Sequence, residues 1–497
     1  MTQVKALLRV WLARRDAGPL LATAHRRVAF SEALGWLDAS PASEFAAPCD
    51  SGRGRGQLVG LRCGSADVDA DGLFMLWARG LVPVLLPEAD VEAATRQALA
   101  DHLVLGAMLR RGEDDRWSLE AFPASPAKQK CPELALAHME ASALVLLTSG
   151  TTGLPKAVGF SAAALASVGR LSWGALESHG AGDAGPGTVR WLSPLPWHHA
   201  GGLAPLLRTL PIGGTWLPWA SRPFIPDDLC RYGAAEGATH LSLVPTQLRR
   251  VLEAQQRPWS ALRCVLLSGD DVPMRLLTDA RERGWPVLPA YGQTESLGWI
   301  AAAQHAGLDS EEVVTFFPHE GVSVTQDPAD RALRYTSPTQ ASWSLDPATG
   351  RFETLGSEIE TRDRVEFIGE GFRVMGRLDD MILCGGENLD PSMIEAAVCR
   401  ATGAVAAVAF GVADGDWGQV PACVFALPEG EGSLDARASG SHAIALNALR
   451  ALPALLRPRL VCAVEASELM FEHKRSRRQV ASACAGKLRP LTPPTGH

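Results

Sequence analysis

The stretch that decides the fold is ALVLLTSGTTGLPKAVGF, residues 143–160, in which an apolar run passes directly into a loop of hydroxyls and glycines. A short apolar run that ends in turn residues predicts a buried strand of a parallel sheet. The loop offers hydroxyl and backbone donors and one lysine, which suit a polyphosphate. Its spacing does not match the Walker pattern, so no P-loop NTPase is indicated. A solvated surface turn is the alternative interpretation.

Similar apolar runs recur along the first 270 residues and predict a large α/β domain. They are VGLRC at 59–63, LVPVLLP at 81–87, HLSLVP at 240–245 and RCVLLSGD at 263–270. Short, turn-punctuated segments between residues 311 and 377 predict a β subdomain. Beyond them, the helix SMIEAAVCRATG, the strands AVAAVAF and ACVFALP, and a helix from Ser441 predict a small α+β unit. We therefore expect an N-terminal α/β domain over 1–378 and a small, mobile α+β C-terminal domain over 379–497.

Composition excludes several classes of protein. The chain has 497 residues, 46% hydrophobic and 21% charged, with a net charge of −8, so it is globular and unsuited to unspecific binding of nucleic acid. Its 10 cysteines form no C-x-x-C pair, which argues against a zinc site or a disulfide framework. The amphipathic N-terminus lacks the features of a secretory signal, and the apolar stretch 72–87 is too short to span a bilayer. We expect a cytoplasmic protein without a membrane span, and a homodimer is left open.

Two further clusters carry groups that suit a nucleotide. In YGQTE at 291–295, a carboxylate beside a hydroxyl can hold magnesium on phosphate oxygens, and a tyrosine ring can stack on a purine. Asp363 can accept both ribose hydroxyls, and Arg377 can reach a phosphate. The alternatives are an exposed glutamate at 295 and a surface ion pair between Asp363 and Arg377.

Together these pieces resemble the acyl-adenylate-forming family of acyl- and aryl-CoA ligases, over nearly the whole chain. The family's motifs occur here in the family's order: LLTSGTTGLPKA, LPWHHAGG, LSLVPTQL, VLLSGDDVP, YGQTES, TRD, GRLDDMILCGGENLDPSMIE and a C-terminal lysine. Within the family, LSLVPTQLRRVL, IETRDRVEF and VMGRLDDMILCGGEN look most like the proteobacterial o-succinylbenzoate:CoA ligases of menaquinone synthesis, in which TRD replaces the commoner TGD.

The resemblance implies that ATP and magnesium activate a small carboxylic acid as an acyl-AMP, and that coenzyme A then takes the acyl group as a thioester. Thr294 and Glu295 match the α-phosphate and magnesium positions, and an acid at position 270 is less usual in the family. The implied nucleotide-binding residues are Thr148, Ser149, Gly150, Thr151, Thr152 and Lys156 for the β- and γ-phosphates, Gly269, Asp270 and Tyr291 for adenine, Asp363 for ribose, and Arg377 beside the hinge.

For the acid, the resemblance implies that His198 closes the acyl site before coenzyme A arrives and that Gly292 lines this site. No role is assigned to His199. Arg208 lies near the position that binds a second carboxylate, and a guanidinium suits bidentate binding of that group. Its spacing from His198 is one residue longer than in the family, which on a helix turns the side chain by about 100°. An exposed arginine is the alternative.

For the thiol step, the resemblance implies that Asp379 is the hinge residue and that Gly385 and Gly386 line the pantetheine tunnel. A glycine backbone there would let a thiol pass close to the acyl-AMP. Cys384 is interpreted as a packing residue, because coenzyme A supplies the thiol.

Two lysines compete for the catalytic position. Lys487 follows glycine, as the catalytic lysine usually does in the family, but Lys474 lies in the segment RPRLVCAVEASELMFEHKRSRRQ, which resembles the family's last strand and lysine loop. We prefer Lys474, although His473 replaces the glycine before it. Two other functions stay open: loading of an aryl or fatty acid onto a separate carrier protein, and adenylation or ATP binding without thioester chemistry.

Overall fold

The computed structural model describes most of the chain in many stretches. These are residues 2–13, 19–22, 26–38, 58–64, 66–87, 105, 107–111, 117–121, 133–148, 155–179, 187–219, 224–270, 272–303, 313–346, 349–384, 387–427, 441–453, 456–465, 469 and 477–491. The chain forms two compact units. Unit 1 comprises Met1–Val324 and Tyr335–Ile359, and unit 2 comprises Thr325–Arg334 and Glu360–His497.

One sheet of unit 1 has a parallel centre. Its neighbouring strands, in spatial order, are Arg27–Val28, Leu21–Ala22, Thr215–Pro218, Arg190–Ser193, His240–Leu243, Cys264–Leu267, Val287–Gln293, Gly298–Ala303 and Phe316–Pro318. The pairs from Leu21–Ala22 to Val287–Gln293 are parallel, and those at both edges are antiparallel. The central strands are buried along their length, which is why they appear in the sequence as continuous apolar runs.

The second sheet of unit 1 contains the strands on either side of the predicted phosphate loop. In spatial order its strands are Arg351–Thr354, Trp343–Asp346, Lys156–Phe160, Leu144–Thr148, Val82–Pro87, Leu58–Cys63, Ala107–Arg111 and Trp117–Ala121. The strands predicted at 59–63, 81–87 and within the apolar run 143–150 are confirmed, the last of them as Leu144–Thr148. Large aromatic side chains close this core: Trp77 is fully buried and its indole N–H donates to the carbonyl of Ala143.

Three helices of unit 1 begin at residues that favour helix starts. Ser161 caps the longest by accepting the N–H of Ala164, and Pro226 and Pro245 each open a first turn. Among the described residues, no helix is long and apolar enough to cross a membrane. The α-helices are Thr2–Leu12, Phe30–Asp38, Ala66–Ala78, Glu133–Ala141, Ala162–Ser178, Ala200–Thr209, Pro226–Ala235, Pro245–Glu253 and Met274–Glu282; short 3₁₀ helices span Leu210–Ile212 and Thr294–Ser296.

Unit 2 contains the predicted small α+β fold. Its sheet follows the order Glu387–Leu389, Ile382–Cys384, Gly418–Ala426, Leu460–Val464 and Arg489–Pro490, and Ala406–Asp414 pairs with Gly418–Ala426. Its helices are Pro391–Thr402, Ser441–Arg450 and Arg477–Cys484, with 3₁₀ turns at Leu378–Asp380 and Ala485–Lys487. Asp390 caps the first helix, and Gly403 ends it in the left-handed conformation. The predicted helices and the strand pair are confirmed.

The β subdomain forms as the turn-rich sequence predicted. Its strands are Ser323–Gln326, Ala332–Thr336, Ile359–Ile368 and Gly371–Arg377. The last two form an antiparallel hairpin, and Arg364 in this hairpin forms a 2.6 Å ion pair with Asp390 at the start of the following helix. The hairpin and this helix belong to the same compact unit. The predicted domain boundary between residues 378 and 379 and the predicted hinge residue Asp379 stay predictions.

Candidate functional site

Four parallel strands of unit 1 end at one edge of their sheet, and predicted site residues follow those ends. They are Arg190–Ser193, His240–Leu243, Cys264–Leu267 and Val287–Gln293. Ligands of α/β sheets bind outside the carboxyl ends of the strands. The edge is therefore the candidate site, and the predicted residues that belong to these ends or follow them are His198, Gly269, Asp270, Tyr291, Gly292, Thr294 and Glu295.

The predicted phosphate loop is anchored by two neighbouring strands. Thr148 ends one strand, Lys156 begins the next, and the two residues are register partners in an antiparallel pair. Both are partly buried, so the loop between them begins and ends at fixed points. Ser149, Gly150, Thr151 and Thr152 lie outside the described residues, and their phosphate contacts stay a prediction.

A tight turn presents Thr294 and Glu295. The hydroxyl of Ser296 donates to the carbonyl of Gln293 and accepts the N–H of the same residue. The carbonyl of Glu295 accepts the N–H of Ala341 at 2.7 Å, and the next residue along, Ser342, donates to Gly159 in the lysine-bearing strand. Thr294 and Glu295 are thus connected through backbone hydrogen bonds to the strand that begins at Lys156.

Gly292 lies where the two strands around this turn approach closely. A Cβ atom at this position would lie 1.9 Å from the carbonyl oxygen of Gly298, which is backbone and has no rotamer to yield. The close approach requires a glycine here for packing, and the predicted place of Gly292 in the acyl site stays a prediction.

We expect Gly292→Ala to destabilise unit 1 by about 1–3 kcal/mol, because overpacking forces the backbone to shift. The measurement is the free energy of unfolding in urea. Gly174→Ala is the control, because no atom lies within 4 Å of its added Cβ, and its stability should be unchanged or slightly raised. Equal destabilisation of both variants would contradict the close approach.

The residues predicted at the adenine are partly accessible. The hydroxyl of Tyr291 accepts from the side-chain amide of Gln293 at 3.3 Å, and its ring lies 5.9 Å from that of Phe316. Gly269 has a φ of +93°, a backbone conformation that favours glycine, and both it and Asp270 are exposed. A planar base could therefore contact this edge without displacing core residues.

Two adjacent histidines precede the helix Ala200–Thr209. The rings of His198 and His199 lie 4.2 Å apart between centroids; His198 is partly buried and His199 is exposed. The turn is tight, because a Cβ atom at Gly202 would lie 2.2 Å from the carbonyl oxygen of Pro196. The partial burial of His198 is compatible with its predicted place in the acyl site.

Arg208 is buried, which excludes the exposed alternative. It is 5% exposed, and its guanidinium carbon lies 4.9 Å from the ring of Trp191 and 5.6 Å from that of Trp299. Its Nε donates to the hydroxyl of Ser172 at 3.2 Å, and no ion pair with a carboxylate is formed among the described residues. Burial lowers the pKa of Arg208 to about 9, against a smaller opposing effect of the neighbouring Cys264.

In unit 2, Asp363 and Arg377 face each other across the β-hairpin. They are register partners, and Nη1 of the arginine lies 3.2 Å from Oδ1 of the aspartate, which is 7% exposed. Arg377 also forms two 3.0 Å hydrogen bonds with Asp379. Burial acts to lower the pKa of Arg377, but the hydrogen bond to Asp379 and the charges of the three nearby aspartates outweigh it and raise the pKa. The ion pair named in the alternative interpretation is therefore present, with a buried aspartate and an exposed arginine, and the predicted nucleotide contacts of both residues stay predictions.

The ribose contact that the resemblance implies for Asp363 predicts that Asp363→Asn raises the KM for ATP about tenfold or more, because a hydrogen bond to a carboxylate contributes more than one to a neutral amide. Initial-rate kinetics at saturating acid measure this. Asp327→Asn is the matched control, since Asp327 belongs to the same unit and pairs with Arg334 at 2.5 Å. A similar rise in both variants would show that charge in general, and not the position of Asp363, determines the effect.

The structure describes only some of the other predicted residues of unit 2. Gly385, Gly386 and Lys474 lie outside the described residues, and their roles stay predictions. Cys384 packs against the hydrophobic core of the unit, as expected. Lys487 is exposed on the 3₁₀ turn that follows the last helix.

Sequence analysis missed two groups of residues. Ser172, Trp191 and Trp299 surround Arg208, but they lie far apart in the chain and no motif joins them. Arg477 donates from Nε to Asp380 at 3.0 Å and also contacts Glu395, which connects the start of the last helix to the turn that holds Asp379. The segment that contains Arg477 was quoted in the sequence analysis, but its contacts with Asp380 and Glu395 were not predicted.

Parts of the chain are similar in sequence to known proteins. The model of the AMP-binding enzyme family matches residues 67–331, more than half of the chain. The chain is 32% identical over 282 residues to 2-succinylbenzoate--CoA ligase of Escherichia coli K12, an alignment that covers 56% of this chain and 57% of that relative. The chain thus aligns with little more than half the length of this relative.

Solved structures share the fold over nearly the whole chain. The o-succinylbenzoate CoA synthetase of Bacillus subtilis with its acyl-adenylate intermediate superposes with a TM-score of 0.71, at 20% identity, over 94% of this chain and 96% of that one. The same synthetase with ATP and magnesium gives a TM-score of 0.70 at 20% identity, over 92% and 95%. The predicted fold class, a large α/β part with a small α+β part, is confirmed.

Proposed function

This chain belongs to the AMP-binding enzyme family, and from that premise we propose that it is an ATP-dependent acid:CoA ligase whose acid is 2-succinylbenzoate. The buried Arg208 carries the choice of acid. Burial of a charged guanidinium away from water is unfavourable, and Arg208 forms no ion pair with a carboxylate among the described residues. A second carboxylate on the substrate would supply this partner and offset the cost of burial. A monocarboxylic aryl or fatty acid offers no such partner.

In the first half-reaction, a carboxylate oxygen of the acid attacks the α-phosphorus of ATP. The bond from this phosphorus to the bridging oxygen breaks, and pyrophosphate leaves with its electron pair. Negative charge develops on the phosphate oxygens, so donors that are already in position lower the barrier. We assign this task to the Thr148–Lys156 loop and to Thr294, with Lys474 between the substrate carboxylate and the α-phosphate.

Magnesium fits the residues present as an ion shared with phosphate. Among the described side chains, no group of three or more acidic, histidine or cysteine residues could hold a metal ion alone. Magnesium commonly binds through one or two carboxylates together with substrate phosphates, and Glu295 would supply such a carboxylate. When bound, the ion would neutralise charge on the phosphate oxygens.

In the second half-reaction, the thiol of coenzyme A attacks the acyl carbon and AMP leaves with the bonding electrons. Rotation about Asp379 would exchange Lys474 for the Gly385–Gly386 segment at the reaction centre, as the family resemblance implies. Asp363 and Tyr291 would keep the ribose and the adenine in place, and His198 would open the acyl site to the thiol.

The test is to incubate pure protein with ATP, magnesium and a panel of acids, with and without coenzyme A. Thioester formation from 2-succinylbenzoate, in preference to benzoate and fatty acids, is the expected result. AMP formation that yields a thioester only with a carrier protein would replace the proposal with carrier loading. Absence of pyrophosphate release with every acid would point to an ATP-binding role without ligase chemistry.

A further inference from the structure

The buried site around Arg208 contains a hydroxyl that holds two groups at once. The Oγ atom of Ser172 accepts a hydrogen bond from Nε of Arg208 at 3.2 Å and another from the indole N–H of Trp299 at 3.0 Å. The three residues come from separate elements, 36 and 127 residues apart in sequence from Ser172, so one oxygen atom fixes their relative positions.

The aromatic rings restrict the guanidinium from the sides. Trp191 and Trp299 both lie within cation–π distance of Arg208, which favours a guanidinium placed over their faces. Since Nε is occupied by Ser172, the terminal nitrogens are the part of the fork that remains for a ligand. One of them, Nη2, lies 3.1 Å from the position that a Cβ atom of Gly298 would take, next to the strand that carries Gly292.

The histidine that contacts Trp299, His319, adds no competing positive charge at neutral pH. His319 contacts Trp299 edge-on at 4.6 Å, and burial, followed by the charges of His179 and Arg208, lowers its pKa to about 3. Its imidazole is therefore neutral, and its Nε2 atom has no hydrogen-bond partner within the described part of the chain. A buried polar atom of this kind is usually satisfied by water or a ligand.

We infer that Ser172 is a positioning residue for substrate selection: it orients Arg208 against Trp191 and Trp299 so that the guanidinium receives the second carboxylate of a dicarboxylic acid. This rests on the proposed function. A freely rotating arginine would keep its charge but lose the orientation that bidentate binding requires. Ser172 would therefore control the affinity for the second carboxylate without touching the reacting atoms.

The experiment compares Ser172→Ala with wild type on 2-succinylbenzoate and on its two monocarboxylic analogues, each lacking one carboxylate. We expect the KM for 2-succinylbenzoate to rise about tenfold with kcat changed less than threefold, and the KM for whichever monocarboxylic analogue is a substrate to stay within twofold. Ser172→Thr, which keeps the hydroxyl, should restore the wild-type KM. Ser167→Ala is the matched control, because Ser167 is buried on the same helix and bonds Ala163 and Arg170 instead.

A merely structural serine predicts a different pattern: all substrates lose activity together and threonine does not rescue selectively. That result would overturn the inference alone. Wild-type protein that forms no thioester from 2-succinylbenzoate would overturn the proposed function and the inference with it. If Ser172→Ala does not fold, Trp299→Phe replaces it, since this change removes the N–H that Ser172 accepts; an unchanged preference for the dicarboxylic acid would then refute the inference.

Discussion

Lys474→Ala is expected to reduce the rate of acyl-AMP formation by a factor of about 10²–10³, the usual loss when one preorganised donor to a developing charge is removed. Lys487→Ala is expected to leave the rate unchanged. Exchange of labelled pyrophosphate into ATP measures this half-reaction directly. Lys474→Arg keeps the positive charge and should recover part of the rate.

The contacts of the described residues near the two lysines favour Lys474 over Lys487 as the catalytic lysine. Lys474 lies outside the described residues, but three positions later Arg477 begins a helix and pairs with Asp380, beside the predicted hinge residue Asp379. Lys487 is exposed, and the strand directly after it pairs with Leu460–Val464 at the edge of the sheet. Arg477, three residues after Lys474 in the sequence, is thus connected by an ion pair to the turn of the predicted hinge residue, whereas Lys487 precedes an edge strand.

Separate measurement of the two half-reactions distinguishes a catalytic role of Lys474 from a general loss of folding. Lys474→Ala should still form thioester from preformed acyl-AMP and coenzyme A, because the proposed rotation about Asp379 removes Lys474 from the reaction centre in this half-reaction. If Lys487→Ala loses adenylation and Lys474→Ala keeps it, the assignment of the catalytic lysine is wrong.

Much of the fold was predictable because it depends on local patterns. The apolar runs at 240–245 and 263–270 predicted strands that the structure places at His240–Leu243 and Cys264–Leu267. The start of the phosphate loop was predictable too, since it follows an apolar run that forms the strand Leu144–Thr148; the strand that begins at Lys156 was not predicted. In each case one short segment contains both the hydrophobic signal and the turn signal.

The environment of Arg208 was not predictable, because it depends on contacts between distant segments. Helical spacing alone left an exposed arginine as an equal alternative. Its burial comes from Trp191, Trp299 and Ser172, which meet only after the sheet and the helices Ala162–Ser178 and Ala200–Thr209 have packed. The close approach at Gly292 is similar: the sequence shows a glycine, and only the paired strands show the carbonyl that excludes a side chain.

Arg208→Met is expected to raise the KM for 2-succinylbenzoate about 10–100-fold, the range for loss of hydrogen bonds to a charged group. A monocarboxylic analogue that the wild type accepts should be used equally well by the variant. Arg208→Lys keeps a positive charge without the bidentate fork, so its KM for 2-succinylbenzoate should lie between those of the wild type and Arg208→Met. Equal losses on both kinds of acid would contradict a role for Arg208 in binding the second carboxylate.

The same substitution should raise the stability of the free protein, in contrast to most changes in a core. The pKa of Arg208 is about 9 in the folded protein and 12.5 when unfolded, so burial of the charge opposes folding throughout the range below about pH 9. Above about pH 9 the folded state loses this proton first, and the penalty declines as the pH approaches 12.5. The stability advantage of Arg208→Met should therefore be full near pH 7 and shrink in more alkaline solution, as urea unfolding of both proteins would measure.

Because Cys264 beside Arg208 has a pKa of about 12, raised by burial, the titration of this thiol begins only toward the end of this pH range. A variant less stable than wild type at pH 7 would show that the guanidinium is compensated within the protein, and the case for a substrate carboxylate would lose its physical basis.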